Sequence, residues 1–255
     1  MPIEHKFLNH DFGRGFFTEN SILKNNIYKP EVLFIGTFNH GWSGNRSDFF
    51  YGRGMYMWPI MANLFLHNQN LLMKARNFNN DIPTLQEIFE ICIKGNLSFA
   101  DIIAGTKEKV STIDNGYNVI VNDSYLWNNY KDSHLQSMGR DGLLHDNCLH
   151  IINYLQENPS IKNVYFTFKS AGSWIDEKVF FIKEGLPSIK MVPIFTPTGS
   201  GFLKNLQIPF DNRPASLAHC WVWNGIDNHV PIEKNGYGYL CHEWLKRSGV
   251  DINKF

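Results

Sequence analysis

The chain has 255 residues, with 24 Lys or Arg balanced by 24 Asp or Glu, so its formal net charge is zero. That length suits one large α/β domain or two small ones, and the charge balance argues against a strongly basic nucleic-acid binder while leaving room for a local basic patch. There is no apolar run of about 18 residues to cross a membrane, and MPIEHKFLNHDFGRG lacks the charged-then-apolar layout of a secretion signal, so an intracellular protein is expected. Aromatic residues make up 15% of the chain, enough either to bury a large area or to supply stacking surfaces.

Residues 1–30 read as an irregular arm with one short helix, ending at Pro30. Val32-Leu33-Phe34-Ile35 is too short for a helix and rich in branched and aromatic residues, which predicts a buried strand that Gly36 ends. The loop that follows carries Asn39, His40, Trp42, Arg46, Phe50, Tyr51 and Arg53. In an open parallel sheet, ligands bind beyond the carboxyl ends of the strands, so this long polar loop is the first candidate site. It is not a phosphate loop, because it contains neither GxxxxGK[ST] nor GxGxxG.

Pro59 fits the first turn of a helix that is expected to run to about Asn77. Thr84 with Glu87 forms a capping-box signature for the next helix, which Gly95 closes. Residues 97–103 predict a second strand, and residues 104–135 predict loop with short helices. Residues 145–156 predict a helix with Leu149, Ile152 and Leu155 on one face. A third strand (163–168), a helix (173–182) and a fourth strand (191–195) follow. The fourth strand leads into the turn Thr196-Pro197-Thr198-Gly199-Ser200-Gly201. Trp221-Val222-Trp223, an Asn224-Gly225 turn and Tyr237-Gly238-Tyr239 predict an antiparallel hairpin or an addition to the sheet edge. A last helix over 240–247 ends at Gly249. The β-α alternation predicts a parallel sheet covered by helices. It forms one domain over 1–255, with 1–30 as an N-terminal arm and 207–255 as a C-terminal extension packed on it.

Cys92, Cys148, Cys220 and Cys241 are widely spaced with no CxxC pair, which predicts reduced thiols. His219-Cys220 and Cys241-His242 carry zinc-ligand residue types. Adjacent residues on a strand face opposite ways, so ordinary buried Cys and His is the better reading, and no metal or cofactor is expected.

Four blocks, taken together and in order, resemble the uracil-DNA glycosylase superfamily, nearest its mismatch-specific and hypoxanthine-type branch. Ile35-Gly36-Thr37-Phe38 is similar to a first motif G-S-F-P-G. Phe50-Tyr51-Gly52-Arg53 with Met57-Trp58-Pro59-Ile60 is similar to Y-Y-(A/G)-H-P-R-N-x-F-W-P-I. The stretch from Gly95 to Asp101, with Thr112-Ile113-Asp114 and Asn122-Asp123, resembles G-I-x-L-W-D, S-L-D and N-D. Val192-Pro193-Ile194-Phe195-Thr196-Pro197 resembles L-P-S-T-S-P-A-N.

The resemblance implies a three-layer α/β/α sandwich around a central four-stranded parallel sheet. It also implies a DNA glycosylase of base-excision repair, which flips a deaminated or modified base such as uracil or hypoxanthine out of DNA and hydrolyses its N-glycosidic bond without metal or cofactor. Asn39 and Asp101 are then the catalytic candidates. Gly36, Thr37, Phe38, His40, Phe50, Tyr51 and Asn122 would form the base pocket, with Phe50 or Tyr51 stacking on the base. Thr196, Pro197, Thr198, Gly199, Ser200 and Lys204 would grip the DNA phosphates.

The chain departs from the pattern in several places. Phe38 stands where many relatives carry an Asp or Asn that positions water, Met55 falls near the place of the hypoxanthine branch's Asn, and Val192 and Gly199 replace the His and Asn of the second motif. The alternative is therefore a non-catalytic base-binding member that has lost its water-activating residue. A third reading is an unrelated α/β hydrolase acting on a nucleoside, although no G-x-S-x-G elbow is present. Arg46, Arg53, Lys169, Lys204 and Arg213 are the candidates for a basic stripe.

Overall fold

The protein is described here by a computed structural model covering residues 3–41, 45–52, 56–71, 82–107, 132–169, 173–197, 213–224 and 236–255. Its centre is four parallel strands: β4 (Val32–Gly36), β5 (Leu97–Asp101), β8 (Asn163–Phe166) and β9 (Lys190–Pro193). They lie in the order β5-β4-β8-β9, with Phe34 level with Phe99 on one side and Tyr165 on the other.

Side chains alternate across this sheet, as the two-residue period of a strand requires. Val32, Phe34, Leu97, Phe99 and Tyr165 enter one core with α1 (Met57–Ala62), α2 (Leu85–Gly95), α6 (Arg213–Trp223) and α7 (His242–Arg247). Leu33, Ile35, Ala100, Val164 and Phe166 enter a second core on the opposite face. There they meet α3 (Asp132–Arg140), α4 (Cys148–Glu157) and α5 (Ser173–Gly185). Helices thus cover both faces.

The expected four-stranded parallel sheet is only the middle of a larger, mixed one. Residues 1–30 are not an irregular arm with a helix: β1 (Asp11–Gly13), β2 (Phe16–Glu19) and β3 (Ile22–Asn25) form an antiparallel meander. β3 then pairs antiparallel with β5 through Ile22 and Ala100, making seven strands. The hairpin between β2 and β3 turns on Asn20 (φ 50°) and Ser21 (φ 63°). Two positive φ values in a two-residue loop are the type I′ geometry that matches strand twist. A shorter pair, β6 (Ile103–Thr106) with β7 (Leu144–Asp146), follows the bend after β5.

Several predicted boundaries move for identifiable reasons. The helix expected to reach Asn77 passes into a π-turn over Asn63–His67 and stops at Asn68, which adopts φ 48°; the part of that expectation beyond residue 71 lies outside the described residues. Thr84 and Glu87 form the capping box as read, but Asn96 (φ 50°), rather than Gly95, takes the left-handed position that ends α2. On α4 the buried stripe is Cys148, Ile151, Ile152, Tyr154 and Leu155, so Leu149 points outward and is 62% exposed.

Trp221 and Trp223 are helical, not part of a hairpin. Ala218, Trp221 and Val222 bury one helical face, the Trp221 indole donates to Phe195 O at 2.8 Å, and Asn224 (φ 49°) closes the helix. Among the described residues the expected edge addition survives as a backbone hydrogen bond, Gly238 N donating to Pro193 O at 2.7 Å. A Cβ at Gly238 would lie 2.8 Å from the Val192 side chain, so only glycine lets this segment come so close to the edge strand. Among the described residues, no helix is long and apolar enough to cross a membrane.

Candidate functional site

In chain order the parallel strands run β4, β5, β8, β9, yet β5 lies on one side of β4 and β8 on the other. The direction of winding therefore reverses at β4/β8. The two crossovers diverge there and leave a crevice beyond the carboxyl ends of the strands. A cavity of about 350 Å³ opens at this point, lined by Thr37, Phe38, Asn39 and His40 after β4, Asp101 at the end of β5, and Thr167 and Phe168 after β8. Thr196 and Pro197 after β9, Asn45, Ser47, Tyr51 and Gly52 from the loop, and Leu135 and Ile175 from the helices also line it. The volume falls within the range of about 300–1,000 Å³ usual for small-ligand sites.

Asp101 anchors the polar corner. Its Oδ2 lies 2.7 Å from His5 Nε2, and the two side chains are 6% and 0% exposed. Phe7 N donates to His5 Nδ1 at 3.0 Å, so that nitrogen carries a lone pair. The ring proton is therefore on Nε2, and the contact is a neutral imidazole N–H donating to a carboxylate rather than an ion pair. The rings of Phe7, Phe38 and Phe50 surround His5 at centroid distances of 6.1, 6.3 and 5.9 Å. Among the described residues, none hydrogen-bonds Asp101 Oδ1, which is left to the cavity.

Gly36 makes this arrangement possible. A Cβ there would sit 2.2 Å from Asp101 Oδ1 and 3.1 Å from Tyr51 Oη, so both oxygens close over the bare Cα. Asn147, fully buried at the start of α4, donates to Asp101 O at 3.3 Å and to Asn20 O at 2.7 Å. It thereby ties the N-terminal hairpin to the end of β5.

Tyr51 holds an unusual backbone, φ 58°, of the kind retained where surrounding structure over-determines it. Thr167 Oγ1 donates to Ile35 O at 3.3 Å. Tyr51 Oη and Thr167 Oγ1 share a hydrogen bond at 3.1 Å in which either hydroxyl can donate. Burial, then the negative charge of Asp101, pushes the Tyr51 phenol well above its ordinary range, opposed by its hydrogen bond to Thr167.

The loop after β4 is held by the extreme N-terminus. Lys6 N donates to Asn39 O and Gly41 N to Glu4 O, both at 2.8 Å. Asn45 Nδ2 bridges Asn39 Oδ1 at 2.6 Å and His40 O at 2.8 Å. Burial, then Lys6, then His5 lowers the His40 pKa to about 4, leaving its imidazole neutral at neutral pH. Lys6 Nζ donates to Asn45 O, and its positive charge faces Asp48.

The structure gathers most of the residues singled out in the sequence. Thr37, Phe38, Asn39, His40, Tyr51, Asp101, Thr196 and Pro197 line one cavity, and Gly36 lies directly beneath it. Phe50 is the exception: at 0% exposure it stacks on Phe99 at 5.8 Å inside the first core, so no base can reach it. The positive φ at Tyr51 reverses the chain, sending Phe50 inward and Tyr51 to the cavity. Phe38, Tyr51 and Phe168 are the rings the cavity offers instead. Asn122, Thr198, Gly199, Ser200, Lys204, Met55 and Arg53 lie outside the described residues, as does the side chain of Arg213.

Arg46 is exposed between the lining residues Asn45 and Ser47, and Lys169 follows Phe168 with its ammonium 5.1 Å from the Tyr237 ring centroid. Among the described residues, no group of three or more His, Cys, Asp and Glu converges as a metal site. His219 and Cys220 lie within α6, and His242 Nε2 meets Val222 O at 2.7 Å. His5, Asn45, Thr167 and Phe168 were not foreseen. They come from segments with no motif and meet only through the sheet. No family model, curated protein or solved structure matches the chain.

Proposed function

We propose that the protein is a DNA glycosylase of the uracil-DNA glycosylase kind, hydrolysing the N-glycosidic bond of a deaminated or otherwise modified base held in the β4/β8 cavity. The observation that carries this reading is Asp101: one carboxylate oxygen is fixed by a buried neutral histidine and the other is open to a base-sized, aromatic-lined cavity. Asp101 Oδ1 accepts a ring N–H, a group present on the lactam edge of uracil and hypoxanthine and missing from the matching edge of cytosine and adenine. Phe38 and Phe168, after neighbouring strands, offer apolar faces for stacking. The carboxylate's negative charge favours the oxocarbenium-like sugar of the transition state.

The test is incubation with duplex and single-stranded DNA carrying single uracil, hypoxanthine or xanthine residues, followed by alkali cleavage at abasic sites. Strand cleavage that falls by about 10²–10³-fold in Asp101→Asn is expected for loss of the charge that stabilises the transition state. No release of any modified base, neutral or cationic, from either strand form would defeat the enzymatic reading.

One observation favours a second reading, a base-binding module without turnover. The Asn39 side-chain oxygen Oδ1 is already engaged by Asn45 Nδ2 at 2.6 Å, so Asn39 is part of the loop scaffold rather than a dedicated water ligand. Base binding with no strand cleavage is its signature.

A further inference from the structure

We propose that the cavity is built for a base bearing a positive charge, an N-alkylated purine of the 7-alkylguanine type, in preference to a neutral deaminated base. This rests on the glycosylase reading and narrows its substrate class. The observation behind it is the charge of the described lining residues. Asp101 is the only formally charged side chain among the described residues lining the cavity, which include no Lys or Arg. Its one buried partner, His5, is fixed as a neutral imidazole by the Phe7 N–H on Nδ1. His40, the other lining histidine, is neutral at neutral pH through burial and the field of Lys6. Lys6 lies beside the Asn45 carbonyl and faces Asp48.

Two further features point the same way. Tyr51 Oη, hydrogen-bonded to Thr167 Oγ1, and Asp101 Oδ1 are both crowded over Gly36, and each offers a lone pair. A ligand answering both carries adjacent N–H donors, as the N1–H and amino group of a guanine ring do. Phe38, Tyr51 and Phe168 then line the cavity with π-faces, which attract a cationic ring more strongly than a neutral one.

The leaving group completes the argument. A neutral base departs as an anion, and a carboxylate against it opposes that departure. A 7-alkylguanine departs neutral. Water oxygen bonds to C1′, the C1′–N9 bond breaks with its electron pair passing to the ring and cancelling the positive charge, and the water proton goes to solvent. The same carboxylate that favours the sugar cation then opposes nothing in the leaving base.

The experiment has two readouts on the full chain. Binding of 7-methylguanosine and guanosine, which share the same N–H edge and differ in charge, is measured by fluorescence titration for the wild type, Asp101→Asn and Phe168→Leu. Release of 7-methylguanine, uracil and hypoxanthine from DNA is followed in parallel. The expected result is tighter binding of the cation by on the order of tenfold, a preference lost in Asp101→Asn and reduced in Phe168→Leu, with 7-methylguanine released fastest. Equal binding of both nucleosides, or faster release of uracil or hypoxanthine, overturns the charge inference and leaves the glycosylase reading standing. If neither nucleoside binds and no base is released, both fall together.

Discussion

Gly36, Asp101 and His5 form one unit, and each depends on the other two in a way substitution can expose. In Gly36→Ala the new methyl would enter the space of Asp101 Oδ1, 2.2 Å away. That carboxylate is short and tied to His5, so it cannot swing aside as a long side chain would. The cost is expected at about 1–3 kcal/mol, the usual penalty of overpacking, measured as a lower denaturation midpoint with unchanged slope. His5→Phe keeps a ring among Phe7, Phe38 and Phe50 but removes the N–H that Asp101 Oδ2 accepts. A loss of about 1–3 kcal/mol is expected for the orphaned acceptor. In an Asp101→Leu background the same change should cost much less, and equal costs in both backgrounds would show that the two side chains do not interact. Asp101 was legible in the sequence because it ends an apolar strand within a family-like run. His5 was not: it stands 96 positions away, in a segment without periodicity, and only the folded sheet brings the two together.

Elements with local signals were read well, and those set by tertiary context were not. The capping box of α2 needs only residues three apart in sequence, and Thr84 and Glu87 form it. Thr84→Ala is expected to cost about 1 kcal/mol. Hydrogen bonds from the Thr84 backbone and hydroxyl hold the Glu87 carboxyl below its ordinary range. A carboxyl whose folded-state pKa is depressed contributes stability above its unfolded pKa and loses it as the pH falls. The destabilisation caused by Thr84→Ala should therefore narrow as the pH drops through about 4, read from urea midpoints of the two proteins; a constant difference would rule out the reciprocal cap. Asn224-Gly225, by contrast, carries the same dipeptide signal for a hairpin and for a helix end, and only the burial of Trp221 under Phe195 decides between them. The β2–β3 turn escaped notice because Asn20-Ser21 lacks the glycine that usually marks a type I′ loop.

The parallel strands and their helices were visible in the alternation of apolar runs, whereas the N-terminal meander and the strap before it were not. That strap matters to the site as a whole. Ile3 N donates to Thr106 Oγ1 at 2.7 Å, His5 N to Ala104 O at 2.8 Å, and Lys6 N to Asn39 O at 2.8 Å. Residues 3–6 therefore stitch β6 to the loop after β4, and His40, bridged to His5 across this seam, has its pKa lowered to about 4 by burial, then Lys6, then His5. The unperturbed value for histidine is about 6.5, so between the two the unfolded chain binds a proton that the folded protein does not. Stability must then fall as the pH drops from about 6.5 to about 4, and part of that acid limb belongs to this one residue. His40→Gln keeps a hydrogen-bonding side chain and removes the titration. Its unfolding free energy, followed by urea denaturation at steps between pH 7 and pH 4, should fall less steeply than that of the wild type. Parallel curves for the two proteins would mean that the seam is open enough for His40 to take up its proton without loosening the strap.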